Sequence, residues 1–308
     1  MAEACLARGF GVRAFVRYNG RGDWGWLESS PRKGDMEVVA GDIRDYDAVA
    51  AAVRGRDAVF HLAALIGIPY SYVSPLAYVR TNVEGTYNVL QAARENGVGD
   101  VLITSTSETY GTAQYTPIDE LHPLVGQSPY SASKISADQL AISFHRSFGT
   151  PVKIVRPFNC YGPRQSARAV VPTIVTQIQA GRREIRLGSL HPTRDLTFVH
   201  DTVAAFLAVH DSDRLRGEVV NVGTGREVSV RDLAGTIARL MKADVELAAD
   251  PERIRPAESE VERLVCNNAK LVAATGWRPS TGLDEGLAAT IGWLSAHAGA
   301  YKPLIYNV

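Results

Sequence analysis

Short apolar runs alternate with stretches of helical period through the first half of the chain. Residues 12–16 and 36–40 read as strands, and 58–62, 101–104 and 152–155 read as three more. Between them, 45–54 has helical composition with Asp45 as its N-cap. Residues 75–96 predict a long helix closed by Gly97, and 129–148 predict a second. Strands this short and this uniformly apolar, separated by helices, predict parallel βαβ units with both sheet faces covered. The second half is more mixed. It predicts a helix over 170–181, a turn-rich stretch at 188–194, strands near 197–199 and 219–222, and a helix over 230–241. Polar loops and a C-terminal helix over 283–297 follow. Repeats, low-complexity tracts and long linkers are missing, so two interwoven lobes are expected.

The opening, "MAEACLARGFGVRAFVR", reads as the end of a helix followed by a strand. In a doubly wound sheet the first strand is central, and the turn after it carries a glycine fingerprint for a pyrophosphate. Neither G-x-G-x-x-G nor G-x-x-G-x-x-G lies near this start. The expectation is a start truncated or misassigned, with the first strand and glycine loop missing.

Composition narrows the class. Thirty-three basic residues balance thirty-three acidic ones in 308, so nothing points to a polyanion, and no nucleic-acid partner is expected. Three scattered cysteines, Cys5, Cys160 and Cys266, suit a reducing compartment without a disulfide framework or zinc site. No apolar run reaches a membrane-spanning length and no signal-peptide pattern opens the chain. A cytoplasmic protein without membrane or metal is expected.

Two stretches carry chemistry. "TSTSETYG" at 104–111 sets four successive hydroxyls, 104–107, and then the carboxylate of Glu108 behind the apolar run Val101-Leu102-Ile103. "PYSASK" places Tyr130 and Lys134 four apart on a helix, hence on one face. An ammonium beside a phenol favours the phenolate, and the pair could then take a proton from a hydroxyl while hydride leaves the same carbon. The same spacing also suits a plain amphipathic helix. Thr106, ending the preceding strand, could hydrogen-bond the same hydroxyl.

"GDIRD" (41–45), "VFHLAA" (59–64), "TNVEGTYNVLQAA" (81–93), "TSTSETYG", "YSASK", "RPFNCYGPR" (156–164) and "RDLTFVHD" (194–201) occur in order. Together they resemble an extended short-chain dehydrogenase/reductase of the nucleotide-sugar epimerase/dehydratase group. The resemblance implies an α/β fold, a Rossmann-type doubly wound parallel sheet with a smaller C-terminal substrate lobe. Residues 1–165, with roughly 197–225, would bind NAD(P), and 166–308 would form the substrate lobe. It implies Thr106, Tyr130 and Lys134 as the catalytic triad, with Lys134 also holding the nicotinamide ribose. Asp42 and Ile43 would flank the adenine, and Leu62, Ala63 and Ala64 would line the nicotinamide-side wall. Asn159 and Arg194 would meet the sugar diphosphate. Arg255, in the arginine-bearing loop "ERIRPAESEVERL" (252–264), falls where the family binds diphosphate and base. Tyr70 and Tyr72 could line the sugar pocket.

Within the family, small uncharged residues after the catalytic Thr/Ser suit 4-epimerases, whereas Ser-Glu there resembles the GDP-mannose type of 4,6-dehydratase. Thr106-Ser107-Glu108 has the Ser-Glu form. Once C4 of the sugar is a ketone, the C5 proton is acidic. Glu108 would remove it as water leaves C6, with Ser107 orienting the carboxylate. A UDP-sugar 4-epimerase and an inactive dinucleotide-binding protein are the alternatives. Arg17 at a strand end, with no acidic residue before Asp23, suits the 2′-phosphate of NADP better than NAD. The resemblance also implies a homodimer, in which the two long helices pair across the axis.

Overall fold

The computed structural model of this chain describes residues 1–302. Helix α1 (Ala2–Ala7) leads into β1 (Arg13–Arg17), and a turn-rich loop leads to β2 (Glu37–Gly41). Next come α2 (Tyr46–Val53), β3 (Ala58–His61), α3 (Ile68–Val73), α4 (Pro75–Tyr78), α5 (Gly85–Glu95) and β4 (Asp100–Thr104). Helix α6 (Pro129–Phe148) and strands β5 (Val152–Pro157) and β6 (Asn159–Tyr161) follow. The remainder holds α7 (Val170–Gln179), β7 (Glu184–Leu187), β8 (Thr193–Phe198), α8 (Val199–His210) and β9 (Val219–Val222). Last are β10 (Glu227–Ser229), α9 (Val230–Leu240), β11 (Glu246–Ala249), α10 (Ala269–Thr275) and α11 (Leu283–Ala296).

Local chemistry explains the boundaries. The Asp45 side chain accepts from the backbone N–H groups of Asp47 and Ala48, which caps α2. Ser128 and Ser131 form a capping box before α6, with Pro129 at the first helical position. Gly149, with φ of 68°, closes that helix in the left-handed conformation. The helix expected at 75–96 is interrupted: Val79–Glu84 winds as a π-turn between α4 and α5. Such wide turns mark places where a side chain is re-aimed, and here the turn carries Asn82. Strands β6, β7, β10 and β11 and the short helices α3 and α10 were not foreseen. Three- or four-residue strands are too short to show a period.

Strands β3, β4, β5 and β9 form one parallel sheet in the order β3-β4-β5-β9, while β1 and β2 pair in parallel as a separate ribbon. Alternation along β4 decides the layers. Val101 and Ile103 face one core with Leu90, Val89 and Phe144, whereas Leu102 faces the other with Phe206, Val209 and Val220. Leu90, Leu102 and Ile103 are fully buried, each burial contributing about 1.5–3 kcal/mol. Both faces of the parallel sheet are therefore covered, as the uniformly apolar strands predict. A third core, with Ile174, Ile185, Leu233 and Leu287, holds the second lobe, where β8 pairs with β6 and β10 and β7 with β11. Between the lobes, Tyr110, Ile118, Phe158, Val261 and Leu264 form a seam directly behind the "TSTSETYG" loop.

The doubly wound sheet is thus present in two pieces, β2-β1 and β3-β4-β5-β9. A cavity of about 530 Å³ lies between them, bounded by residues of β1 on one side and of β3 on the other. No helix among the described residues is long and apolar enough to cross a membrane.

Candidate active site

The "TSTSETYG" loop is tied down at both ends by one buried network. Ser105 Oγ donates to Asp138 Oδ2 at 2.7 Å, and Arg156 Nε and Nη2 donate to the same oxygen at 3.0 and 2.8 Å. Arg156 Nη1 donates to the Tyr110 hydroxyl at 3.1 Å, and that hydroxyl donates to Asn221 Oδ1 at 2.7 Å. Asp138 is fully buried and Arg156 nearly so, so each charge depends on the other to remain in the interior. Between these anchors, Ser107–Tyr110 make a 3₁₀ turn, and the Glu108 N–H bonds Thr106 Oγ1 at 3.2 Å. Ser105 and Tyr110 thus fix the loop on either side of Thr106 and Glu108.

Helix α6 supplies Tyr130 and Lys134 to the same spot, both buried. Burial pushes the Tyr130 phenol up, partly offset by its hydrogen bond with Thr106. Thr106 and Tyr130 are in hydrogen-bond contact. Lys134 Nζ donates to the Thr104 carbonyl at 2.6 Å, and the carboxylates of Glu108 and Asp138 raise Tyr130 further. Burial lowers Lys134, with Asp138 opposing. The physical reason is desolvation, which here outweighs the pairwise effect.

Glu108 is half-buried. No hydrogen bond reaches its carboxylate among the described residues, yet its charge acts on both Tyr130 and Arg194. Ser107 is buried and makes no hydrogen bond to Glu108. Toward the second lobe, Arg194 Nη2 and Arg255 Nη1 both reach Glu260 Oε1, at 3.3 and 3.4 Å. Burial lowers Arg194, and Arg255 adds to that, while Glu108 and Glu260 oppose it. Asp195, a candidate partner for Arg194, instead accepts from the backbone of Thr224, Gly225 and Cys266. Asn159 is half-buried, and its Oδ1 is buried with no partner, an acceptor left for a ligand. Tyr72 and Ser259 hydroxyls meet at 2.6 Å, tying α3 to the loop that carries Arg255 and Glu260. Tyr70 lies tilted against Tyr78, and Tyr78 sits edge-on to Tyr130.

Of the groups expected at a dinucleotide, Leu62 and Ala63 are exposed and Ala64 half-buried. The backbone beside them is held by Asn82, whose amide bonds both the N–H and the C=O of Leu65, at 2.8 and 2.9 Å, and Ser133 Oγ at 2.9 Å. His61, ending β3, bonds Thr86 and is neutral, burial and Lys134 lowering it to about 3. Asp42 pairs with Arg44, which lowers it to about 2. Ile43 packs against Gly85, where even a Cβ would touch its side chain at 3.0 Å. Arg17 is exposed at the end of β1. Thr106, Tyr130 and Lys134 gather at one place, and the small Ala63 lines the β1–β3 cavity, groups of a kind that fits the nicotinamide end of a dinucleotide. The pyrophosphate end finds no such fit: no described segment offers a glycine-rich turn opening a helix at the β1–β3 gap.

Sequence reasoning missed Asn82, Asp138, Arg156 and Glu260. Asp138 had a signal, being four beyond Lys134 and eight beyond Tyr130 on one helical face. Glu260 had none.

Residues 1–290 match the family model described as GDP-mannose 4,6 dehydratase. A dTDP-glucose 4,6-dehydratase of Streptomyces antibioticus is 36% identical over 280 residues, covering 91% of this chain and 82% of that protein. The dTDP-glucose 4,6-dehydratase from Streptomyces venezuelae with NAD and TYD bound superposes with a TM-score of 0.85, at 29% identity, covering 98% of this chain and 95% of that one. A UDP-glucose 4-epimerase from Thermotoga maritima with UDP-glucose gives 0.87 at 26% identity, covering 96% and 94%. With the Thr106–Tyr130 contact and the Lys134 position in place, this chain belongs to the extended short-chain dehydrogenase/reductase family of nucleotide-sugar dehydratases and epimerases.

Proposed function

We propose that this protein is a nucleotide-sugar 4,6-dehydratase. The observation that carries the reading is Glu108. Its carboxylate is half-buried and has no hydrogen-bond partner among the described residues, two residues beyond Thr106 and close enough to shift Tyr130 and Arg194. A carboxylate free of partners and beside a raised phenol is suited to proton transfer. Thr106 and Tyr130 hold the C4 hydroxyl and take its proton, and Lys134, with its ammonium at the Thr104 carbonyl, fixes the floor beneath them. With C4 a ketone, Glu108 takes the C5 proton and returns a proton to the departing C6 hydroxyl, which leaves as water. The buried lower wall keeps other water away.

A bound nicotinamide dinucleotide supplies the hydride acceptor and donor. Arg17 favours NADP, since no acidic side chain ends β1 to bind a ribose 2′-hydroxyl. Arg194, Arg255 and Asn159 are the groups offered to the sugar diphosphate. The proposed division into a dinucleotide lobe (1–165 with 197–225) and a substrate lobe (166–308) is supported by their separate cores. A homodimer is supported by apolar residues exposed along 73–87, Val73, Leu76, Val79 and Tyr87, beside Phe148 of α6. A cytoplasmic setting is supported by the three free cysteines.

The alternative, a 4-epimerase, needs no base beyond Tyr130. Mass spectrometry after incubation with NAD⁺ or NADP⁺ and UDP-, GDP-, CDP- and dTDP-sugars separates the two. The expected product is lighter by one water. A product of unchanged mass that elutes as an epimer would establish the other reaction.

A further inference from the structure

Glu108 rides on a single 3₁₀ turn, Ser107–Tyr110. A turn this short keeps its shape through what grips its two ends. At the front, Ser105 Oγ donates to Asp138 of α6, and the Ser105 N–H bonds the Val155 carbonyl of β5 at 2.7 Å. Thr106 follows at once and meets Tyr130.

At the rear the grip is Tyr110, which is fully buried. Its hydroxyl accepts from Arg156 Nη1 at 3.1 Å and donates to Asn221 Oδ1 at 2.7 Å. Arg156 and Asn221 are register partners on β5 and β9, so the hydroxyl is seated on the parallel sheet itself. Burial pushes the phenol up to about 12, and the hydroxyl therefore keeps the proton it donates. The ring is held separately: the Arg156 guanidinium lies 5.0 Å from its centre, and His122 meets it edge-on at 5.4 Å. Immediately beyond, Gly111 turns the chain away at φ of 65°, where a Cβ would strike Gln127. The last residue of the turn is thus pinned by one hydroxyl, two positions from the carboxylate.

The two grips serve different steps. The front one sets Thr106, which with Tyr130 receives the C4 hydroxyl as the bound nicotinamide dinucleotide oxidises that carbon. The rear one sets Glu108, which is needed only afterwards. We propose that Tyr110 is a positioning residue for Glu108: its hydroxyl, seated on Arg156 and Asn221, holds the carboxylate where the C5 proton leaves, while the Ser105–Asp138 grip governs oxidation at C4. This rests on the reading of Glu108 above. In the step concerned, Glu108 takes the C5 proton, the C5–H electron pair becomes the C5=C6 double bond, and the C6–O bond breaks. The proton returned by Glu108 leaves with the C6 hydroxyl as water.

Tyr110→Phe keeps the ring and removes the hydroxyl. With NAD⁺ or NADP⁺ and the sugar nucleotide that the wild type accepts, it is expected to oxidise C4 within about twofold of the wild-type rate. Water loss is expected to be about tenfold slower, so reduced cofactor builds up in a stopped-flow trace. Ser105→Ala is expected to give the opposite signature, slow oxidation without build-up. Asn221→Ala removes the acceptor and leaves the ring; it is expected to repeat the Tyr110→Phe pattern, and it decides the question should Tyr110→Phe fail to fold. In cofactor-free protein, hydrogen exchange at 107–111 is expected to be about tenfold faster in Tyr110→Phe, with 101–104 unchanged. Equal slowing of both steps in the folded variants, or unchanged exchange at 107–111, overturns the role and leaves the hydroxyl a stabilising group alone. Glu108→Gln, run alongside, reads the underlying assignment. Water loss by Glu108→Gln at the wild-type rate removes the base itself, whereas a dead Glu108→Gln beside unimpaired water loss in Tyr110→Phe removes only the positioning role.

Discussion

The floor of the catalytic site lies just beyond the end of β4 and the β1–β3 gap runs along β3, and the two are held together differently. At the floor, one carboxylate oxygen of Asp138 gathers Ser105 and two Arg156 nitrogens, and the network runs on through Tyr110 to Asn221. At the gap, two strand edges face each other without a shared hydrogen bond. The difference teaches that the proton-handling residues are fixed by the chain's own buried network, whereas the ribbon β1–β2 depends on one pairing and its helices. The first region can be complete while the second is open.

Breaking the floor should cost most. Asp138→Ala leaves Arg156 buried without its counter-charge and should lower stability by about 3–5 kcal/mol, measured by urea unfolding. A loss no larger than about 1 kcal/mol would mean that the network does not hold the floor.

His61 joins the two regions, and it makes the comparison pH-dependent. Its folded value lies near 3, below the ordinary 6.5. Between those values the unfolded chain binds a proton that the folded chain refuses, so stability rises with pH across that window. Its contribution is fully present above about pH 6.5 and is lost as the pH falls toward 3. The slope should approach 1.4 kcal/mol per pH unit at most, roughly, and His61→Asn should remove it. Equal pH slopes in the two proteins would show that the imidazole is solvated.

On the substrate side, Glu260 shares one oxygen between Arg194 and Arg255, so a diphosphate must compete with it. Glu260→Gln should tighten UDP or dTDP binding by about tenfold in calorimetry. Weaker binding would instead make Glu260 the group that aims the two arginines. The smallest effect belongs to the ribbon side. Asp45→Ala removes the α2 cap and should cost about 1 kcal/mol, with faster exchange at 46–53 but not at 100–104. Equal acceleration at both would erase the contrast between the regions.

Much of this was legible in the sequence, for reasons that differ by residue. The strands at 100–104 and 152–157 announce themselves because parallel strands covered on both faces are apolar at every position. Helix 129–148 does so through Ser128, Pro129 and Gly149. Tyr130 and Lys134 share a helical face by their spacing, whereas the roles of Thr106 and Glu108 are read from the family resemblance. The π-turn at 79–84 leaves no mark on periodicity, so the helix there was read as continuous. The four-residue spacing puts Tyr130 and Lys134 on one helical face, but how deeply both side chains are buried leaves no mark on a sequence. The pairing of Arg194 with Glu260 spans 66 residues, and no local pattern encodes it.

The most direct test follows the C5 proton. Wild-type protein and Glu108→Gln are incubated in D₂O with NAD⁺ and the sugar nucleotide that the wild type accepts, and products are read by mass spectrometry. The account predicts that the wild type gives a product lighter by one water, carrying deuterium at C5. It predicts that Glu108→Gln still oxidises C4, seen as reduced cofactor, but gives no dehydrated sugar. Dehydration by Glu108→Gln at a rate near that of the wild type would contradict the assignment of Glu108 as the base.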